Sequence, residues 1–202
     1  MVYILIFMKN LKVVVVGDEI AKKTELLTRY VISDNTNEFS SVTGNLNKQI
    51  VVDDQTINLQ LWDTSGSQDY KKLRHLSYPQ TDIFIIVFAL ISPTSLENVE
   101  TIWVPEIRED CPGTPYILVG TCMNARNDFD KHKEEYESEG WEAVPSSKGE
   151  EMRTTILAND YIECDSNSKA SVERVFLKAA KIGLNHGEPE IKKDLLTIGL
   201  YS

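Results

Sequence analysis

Val13-Val14-Val15-Val16-Gly17-Asp18-Glu19-Ile20-Ala21-Lys22-Lys23-Thr24 decides how this chain folds. The β-branched run Lys12–Val16 predicts a short strand, and Lys23–Tyr30 predicts a helix directly behind a loop. Gly17, Lys23 and Thr24 keep the spacing of a phosphate-binding loop: glycine, four free positions, then glycine, lysine and serine or threonine. Strand, loop and helix in that order let backbone N–H groups and a helix N-terminus point at phosphate oxygens. Two positions depart from the pattern. Lys22 stands where the second glycine belongs, and Glu19 places a carboxylate inside the loop. A carboxylate ~4 Å from a phosphate charge costs on the order of 4 kcal/mol at an effective dielectric of about 20. Lys22 offsets that charge, but a glycine would let the backbone approach without a Cβ. If Glu19 points outward, the cost falls away.

Outward from this loop, strands and helices alternate. Asn47–Asp53 and Thr56–Trp62 read as an antiparallel hairpin turning at Asp53-Asp54-Gln55. Ile83–Ala89 is a continuous apolar run, as expected of a strand covered on both faces. Pro93–Arg108 reads as a helix opened by Ser92-Pro93, and Tyr116–Gly120 as a strand. Asn127–Trp141 is charged and predicts a solvated surface helix, followed by a helix over Ser146–Leu157 and a last strand over Tyr161–Cys164. Ser171–Leu184 places Val172, Val175, Phe176, Ala179 and Ile182 at core spacing. This alternation predicts an α/β fold with a mostly parallel sheet covered on both faces. Ligands of such sheets bind at the carboxyl ends of the strands, where Gly17, Asp63 and Gly120 are expected to converge.

With 202 residues the chain has the length of one domain with a sizeable core. We expect an N-terminal extension over 1–10, a folded domain over 11–186 and a loose tail over 187–202. The apolar start, Met1 to Met8, is too short to span a bilayer and lacks the marks of a signal peptide, and Met8 is an alternative start. A formal net charge of −10 argues against nucleic acid and against a basic membrane-binding patch. The three cysteines, Cys111, Cys122 and Cys164, lack CxxC spacing and predict a reduced, cytoplasmic chain without a zinc site or disulfide framework.

A second motif follows the strand at Trp62. Asp63-Thr64-Ser65-Gly66 ends a strand with a carboxylate suited to magnesium, and its glycine frees a backbone N–H for a terminal phosphate. Trp62-Asp63-Thr64-Ser65-Gly66, Asp69-Tyr70, Leu73-Arg74 and Leu76-Ser77-Tyr78-Pro79-Gln80-Thr81-Asp82 resemble Rho/Rac-type small GTPases of the Ras superfamily. So do Ser92-Pro93, Ser95, Glu97-Asn98-Val99, Trp103, Pro105-Glu106, Cys111-Pro112 and Thr114-Pro115, over roughly Leu11 to Leu184. The resemblance implies a P-loop NTPase (Ras-like) fold: a mostly parallel six-stranded sheet with helices on both faces and a Rho-type insert helix after Asn127. It implies GTP/GDP and Mg2+ as ligands, and signalling to effector and regulatory proteins through switch segments 34–46 and 63–80.

Carried over residue by residue, it implies nucleotide contacts from Gly17, Asp18, Glu19, Lys22, Lys23, Thr24, Asp63, Gly66, Thr121, Cys122, Asn124, Asp165 and Ser166, and metal contacts from Thr24, Ser41 and Asp63. Several positions differ from the family pattern. Ser67 stands where a water-orienting glutamine is usual, with Gln68 one position later, so hydrolysis is expected to be slow or absent. Thr121-Cys122-Met123-Asn124 replaces Asn/Thr-Lys-x-Asp, and an amide at Asn124 is expected to relax base choice. Asp165-Ser166-Asn167 stands for Ser-Ala-Lys/Leu. The tail ends without the prenylated cysteine of Rho proteins, so no lipid anchor is expected, and we expect a monomer. Two readings stay open at this stage: an atypical, slow GTPase, and a pseudo-GTPase that serves as a nucleotide-independent interaction module.

Overall fold

The computed structural model describes residues 9–32 and 45–186. Its sheet has six strands: β1 (Lys9–Gly17), β2 (Asn45–Val52), β3 (Gln55–Asp63), β4 (Ile83–Ala89), β5 (Tyr116–Thr121) and β6 (Tyr161–Glu163), in the order β2-β3-β1-β4-β5-β6. Only the β2–β3 hairpin is antiparallel, paired from Asn45↔Trp62 to Val52↔Gln55; Asp53 and Asp54 make its turn in the left-handed conformation. β1 pairs in parallel with β3 and with β4, so Gly17 and Asp63 come out at one edge. This is the doubly wound, mostly parallel sheet expected from the alternation. β1 begins at Lys9, paired with Ile57, earlier than the apolar run alone indicated.

The four consecutive valines show how the sheet divides its core. Val13 and Val15 face α1 (Lys23–Ile32), and the long C-terminal helix faces them too, through Leu26, Leu27, Tyr30, Val175 and Phe176. Val14 and Val16 face the opposite layer with Phe84, Ile86, Trp103 and Ile107. A strand's period of two sends neighbouring side chains to opposite faces. A strand buried on both faces is therefore apolar throughout, as Ile83–Ala89 also is. Tyr30 stacks on Phe176 at 3.9 Å between ring centroids, locking α1 to the last helix.

After β3 come a 3₁₀ turn (Gln68–Tyr70) and the short α2 (Lys71–His75). The helix predicted over Pro93–Arg108 is one continuous helical stretch of three parts. α3 (Pro93–Asn98) starts with the Ser92 hydroxyl accepting from Ser95 N–H, a π-turn covers Val99–Trp103, and α4 (Val104–Asp110) carries Pro105 near its start. A proline lacks the N–H for an i→i−4 bond, and the π-turn lies just before it.

The charged segment after β5 departs from expectation. Instead of one solvated helix over Asn127–Trp141, it forms α5 (Met123–Asn127), a 3₁₀ turn (Phe129–His132) and α6 (Lys133–Ser138). Phe129 is 8% exposed and packs on Tyr136, which packs on Trp141. This aromatic cluster folds the segment back on itself, which the run of charges concealed. α7 (Ser146–Ile156) and α8 (Lys169–His186) complete the fold, each within a few residues of its predicted bounds. No helix among the described residues is long and apolar enough to cross a membrane. Cys164 is buried and Cys111 and Cys122 are half-buried, all as free thiols.

Candidate nucleotide site

Gly17 closes β1 with φ +143°, and a Cβ there would lie 2.1 Å from the Val87 carbonyl oxygen of β4. No other residue fits. The chain then makes a 3₁₀ turn over Glu19–Ala21 and reverses at Lys22, which has φ 54° and ψ 42°. Lys22 thus adopts the left-handed conformation that a glycine takes without strain, at the position where the loop pattern has its second glycine. The backbone keeps the glycine geometry although the residue has changed.

Lys23 is 5% exposed, and its Nζ donates to the carbonyl oxygens of Gly17 (2.6 Å) and Asp18 (3.1 Å). The ammonium therefore spans the loop from the inside. Burial lowers it to about 8, against the opposing pull of Asp63, Asp18 and Glu19. Thr24 Oγ1 donates to Asp63 Oδ2 at 2.5 Å, while Asp63 Oδ1 is buried and has no protein partner. A hydroxyl and a carboxylate at hydrogen-bond distance, with one carboxylate oxygen orphaned, form a donor set that fits a hard, oxygen-preferring cation such as Mg2+. Ser41, the third expected metal contact, and most of the first switch segment lie outside the described residues.

Gly66 sits directly on the loop. A Cβ on it would come within 2.6 Å of Glu19 N and 2.7 Å of the Gly17 carbonyl oxygen. Between them Glu19, Lys22, Lys23, Thr24, Glu25, Thr64, Ser65 and Gly66 enclose a cleft of about 320 Å³. A larger cleft of about 590 Å³ between α7, β6 and α8 contains Asp160, Lys178 and Lys181. Its charges are already matched, Lys178 by Asp160 and Lys181 by Asp53.

Asp18, Ser67 and Gln68 do not line this cleft. The Asp18 carboxylate turns away from the cleft, accepting from Trp103 Nε1 (2.8 Å) and Asn98 Nδ2 (2.7 Å). It ties the loop to the π-turn. Glu19 is exposed, so solvent screens the repulsion that an inward carboxylate would exert. The Ser67 hydroxyl caps the 3₁₀ turn by accepting from Asp69 N–H, and the Ser67 carbonyl accepts from Arg74 Nη1 at 3.0 Å. Gln68 is exposed at the start of that turn.

A layer behind the site holds it in place, and its role was not read from the sequence. Arg74 is 3% exposed and forms a two-pronged pair with Glu106, from Nε to Oε1 at 2.8 Å and from Nη2 to Oε2 at 2.9 Å. Its Nη1 also donates to the Ser65 carbonyl at 2.8 Å, and its guanidinium lies 4.7 Å from the Trp103 ring centroid. Tyr78 Oη donates to Glu106 Oε1, and burial pushes the Tyr78 phenol up, reinforced by that carboxylate. The sequence showed these residues only as part of a resemblance; no spacing rule joins Asp18, Arg74, Trp103 and Glu106.

The last two motifs meet the loop from its other side. Thr121 Oγ1 donates to the Ala21 carbonyl at 2.8 Å, and Cys122, at φ 59°, brings its Sγ to 3.8 Å from the Ile20 carbonyl oxygen. Burial raises the Cys122 thiol. Asn124 Nδ2 donates to Asp165 Oδ1 at 2.9 Å, and Ser166 Oγ lies 3.1 Å from Glu25 Oε1 at the start of α1. The fold therefore brings Gly17–Thr24, Asp63–Gly66, Thr121–Asn124 and Asp165–Ser166 to the carboxyl edge of the parallel strands.

A family model described as Ras family matches residues 12–184. The chain belongs to the Ras family. It is thus a member of the small GTPase signalling proteins, whose members bind GTP or GDP with Mg2+ and act with effectors and regulators. The matched span runs from β1 into α8 and includes every residue of this Ras-family site.

Proposed function

We propose that this Ras-family protein is an atypical, Rho-like GTPase: it binds guanine nucleotide and Mg2+ with weakened affinity and turns GTP over slowly or not at all. The observation that carries the reading is the convergence of Lys23 Nζ, the Thr24–Asp63 pair and Gly66 around one cleft. Lys23 supplies a buried cation for the phosphates. Thr24 Oγ1 and Asp63 would hold the metal, which when bound neutralises phosphate charge. Lys22 and Glu19 at the rim account for the weakened affinity. The slow turnover rests on Ser67, whose hydroxyl is committed to Asp69 N–H and whose carbonyl is committed to Arg74. A serine side chain is too short for the water-orienting role of the usual glutamine.

Effectors and regulators would meet switch segments 34–46 and 63–80. Tyr70, Leu73 and Leu76 in the second segment are 53%, 63% and 75% exposed, an apolar surface suited to a protein partner. We further propose that it acts as a monomer in the cytoplasm. The second reading, a pseudo-GTPase, is favoured by Lys22 and Glu19, which put a side chain in place of the second glycine and an acidic residue on the cleft lining.

The deciding experiment is chromatography of the supernatant after natively purified protein is precipitated, with calorimetric titration of the emptied protein by Mg-GDP. Stoichiometric GDP or GTP, or saturable binding, supports the GTPase reading. Empty protein that takes up no nucleotide at millimolar Mg-GDP selects the interaction module instead.

A further inference from the structure

A groove of about 520 Å³ runs between the helical stretch that begins at α3 and helix α7, on the side of the sheet opposite α1 and α8. Pro93, Leu96, Glu97 and Glu100 line one wall. Lys148, Glu151, Met152 and Thr155 line the other. Both sets follow the i, i+3, i+4, i+7 spacing of one helix face. At a rise of about 1.5 Å per residue each wall is about 10 Å long, room for about three residues of extended chain. Leu96, Val144 and Met152 belong to the core layer behind the groove, so its floor is apolar. Its rim carries mostly one sign of charge. Lys148 is already paired with Glu151 at 2.8 Å. Glu97, Glu100 and Glu142 are exposed, and their carboxylates have no hydrogen-bond or ion-pair partner among the described residues. Neighbouring carboxylates do have one: Glu150 pairs with Arg153, and Glu137 with Lys133. Glu97 and Glu100 stand three residues apart on one helical stretch, where like charges repel.

We propose that this groove docks a basic segment of another protein, in which Arg or Lys residues flank an apolar side chain. The cations meet Glu97, Glu100 and Glu142, and the apolar side chain covers the floor. A cleft with apolar walls and charges of one sign focuses the field on an incoming opposite charge. Charge also decides between occupants. A second copy of this chain is repelled, because each carries a formal net charge of −10. The chain's own segment 187–202 sets Lys192 and Lys193 against Glu188, Glu190 and Asp194, two positive charges against three negative, and Met1 to Met8 has no basic side chain. Carboxylates repel nucleic acid and anionic lipid alike. No cluster of three His, Cys, Asp or Glu side chains among the described residues is arranged to hold a metal ion. The groove shares no residue with the nucleotide cleft or with switch segments 34–46 and 63–80, so docking there does not depend on nucleotide.

Fluorescence anisotropy of a labelled peptide of three Arg-Leu repeats, titrated with the natively purified full chain at about 0.1 M salt, measures the docking. Saturable binding that weakens with salt is expected. Glu97→Gln/Glu100→Gln/Glu142→Gln is expected to weaken it about tenfold, as the loss of three exposed ion pairs does. Glu109→Gln/Glu134→Gln/Glu139→Gln makes the same change in net charge on exposed carboxylates outside the groove, and is expected to stay within about twofold of wild type. All six side chains are exposed, so both variants are expected to keep the wild-type fold. A peptide of three Arg-Ser repeats keeps the charge without the apolar side chains, and is expected to bind at least about tenfold more weakly. Absence of saturable binding at millimolar peptide, equal affinities of the two variants, or equal binding of the two peptides overturns the proposal. So do two results that name another occupant. Tighter peptide binding by Lys192→Glu/Lys193→Glu identifies the chain's own tail, and a concentration-dependent dimer that the peptide dissociates identifies a second copy.

Discussion

Replacing Lys22 by glycine is expected to stabilise the protein, although glycine substitutions usually do the reverse. Lys22 sits at φ 54°, ψ 42°, and its side chain is exposed. Its backbone role is to end the 3₁₀ turn, with its N–H donating to Glu19 O at 3.2 Å and its carbonyl accepting from Leu26 N–H at 3.1 Å. A glycine keeps both bonds. The left-handed conformation costs an L-residue about 1–2 kcal/mol. Glycine carries an opposing penalty of about 0.5–1 kcal/mol from its freer unfolded chain. The difference leaves a net gain of about 0.5–1 kcal/mol, which in a protein of this size raises Tm by roughly 1–4 °C. Lys22→Ala is the control, because it removes the same exposed charge but retains the strained backbone, so it should stay close to wild type. Thermal and denaturant unfolding of the three proteins, emptied of any nucleotide, measure the effect. If Lys22→Gly is no more stable than Lys22→Ala, the strain argument fails, and with it the claim that this loop retains glycine geometry.

Lys23 gives the pH dependence. Its folded value of about 8 lies below the ordinary 10.5, so between them the unfolded chain keeps a proton that the folded chain has released. Stability from this group therefore rises as pH climbs from about 8 to about 10.5, by up to about 1.4 kcal/mol per pH unit. Denaturant midpoints at pH 7.5 and 9.5 should show wild type gaining relative to Lys23→Met; parallel curves refute the assignment. Arg74→Met strands the buried Glu106 carboxylate and should cost about 3–5 kcal/mol, with Arg74→Met/Glu106→Gln recovering part of it. Urea unfolding reads both, and a purely additive double variant refutes the pairing. Gly66→Ala drives a Cβ against backbone atoms of the loop and should cost about 1–3 kcal/mol; no change would mean that the two segments do not touch.

Much of the fold was legible from local patterns. The valine run, the hairpin turn at Asp53-Asp54 and the apolar β4 needed only the period of a strand and the conformational demands of a turn. Asn127–Trp141 was misread because eight charged residues dominate its composition, whereas its path is set by three rings, Phe129, Tyr136 and Trp141, that meet only after folding. Ser67 was legible as a loss, but its use as a cap for Asp69 and as a carbonyl acceptor for Arg74 was not.

Gly17, Lys23, Thr24, Asp63 and Gly66 declare their chemistry in the sequence, because phosphate and metal contacts depend on residue type at short, fixed spacing from a strand end. Whether the altered positions spoil that chemistry depends on direction, and direction is set by neighbours remote in the chain. Asp18 turns outward because Trp103 and Asn98 offer donors on its far side. Lys22 holds a strained backbone because β1 and α1 fix both ends of the loop. Asn124 has one orientation because Asp165, 41 residues away, accepts from its amide. Spacing along the chain carries residue identity; only the packed sheet, by closing such long loops, determines which atoms face one another.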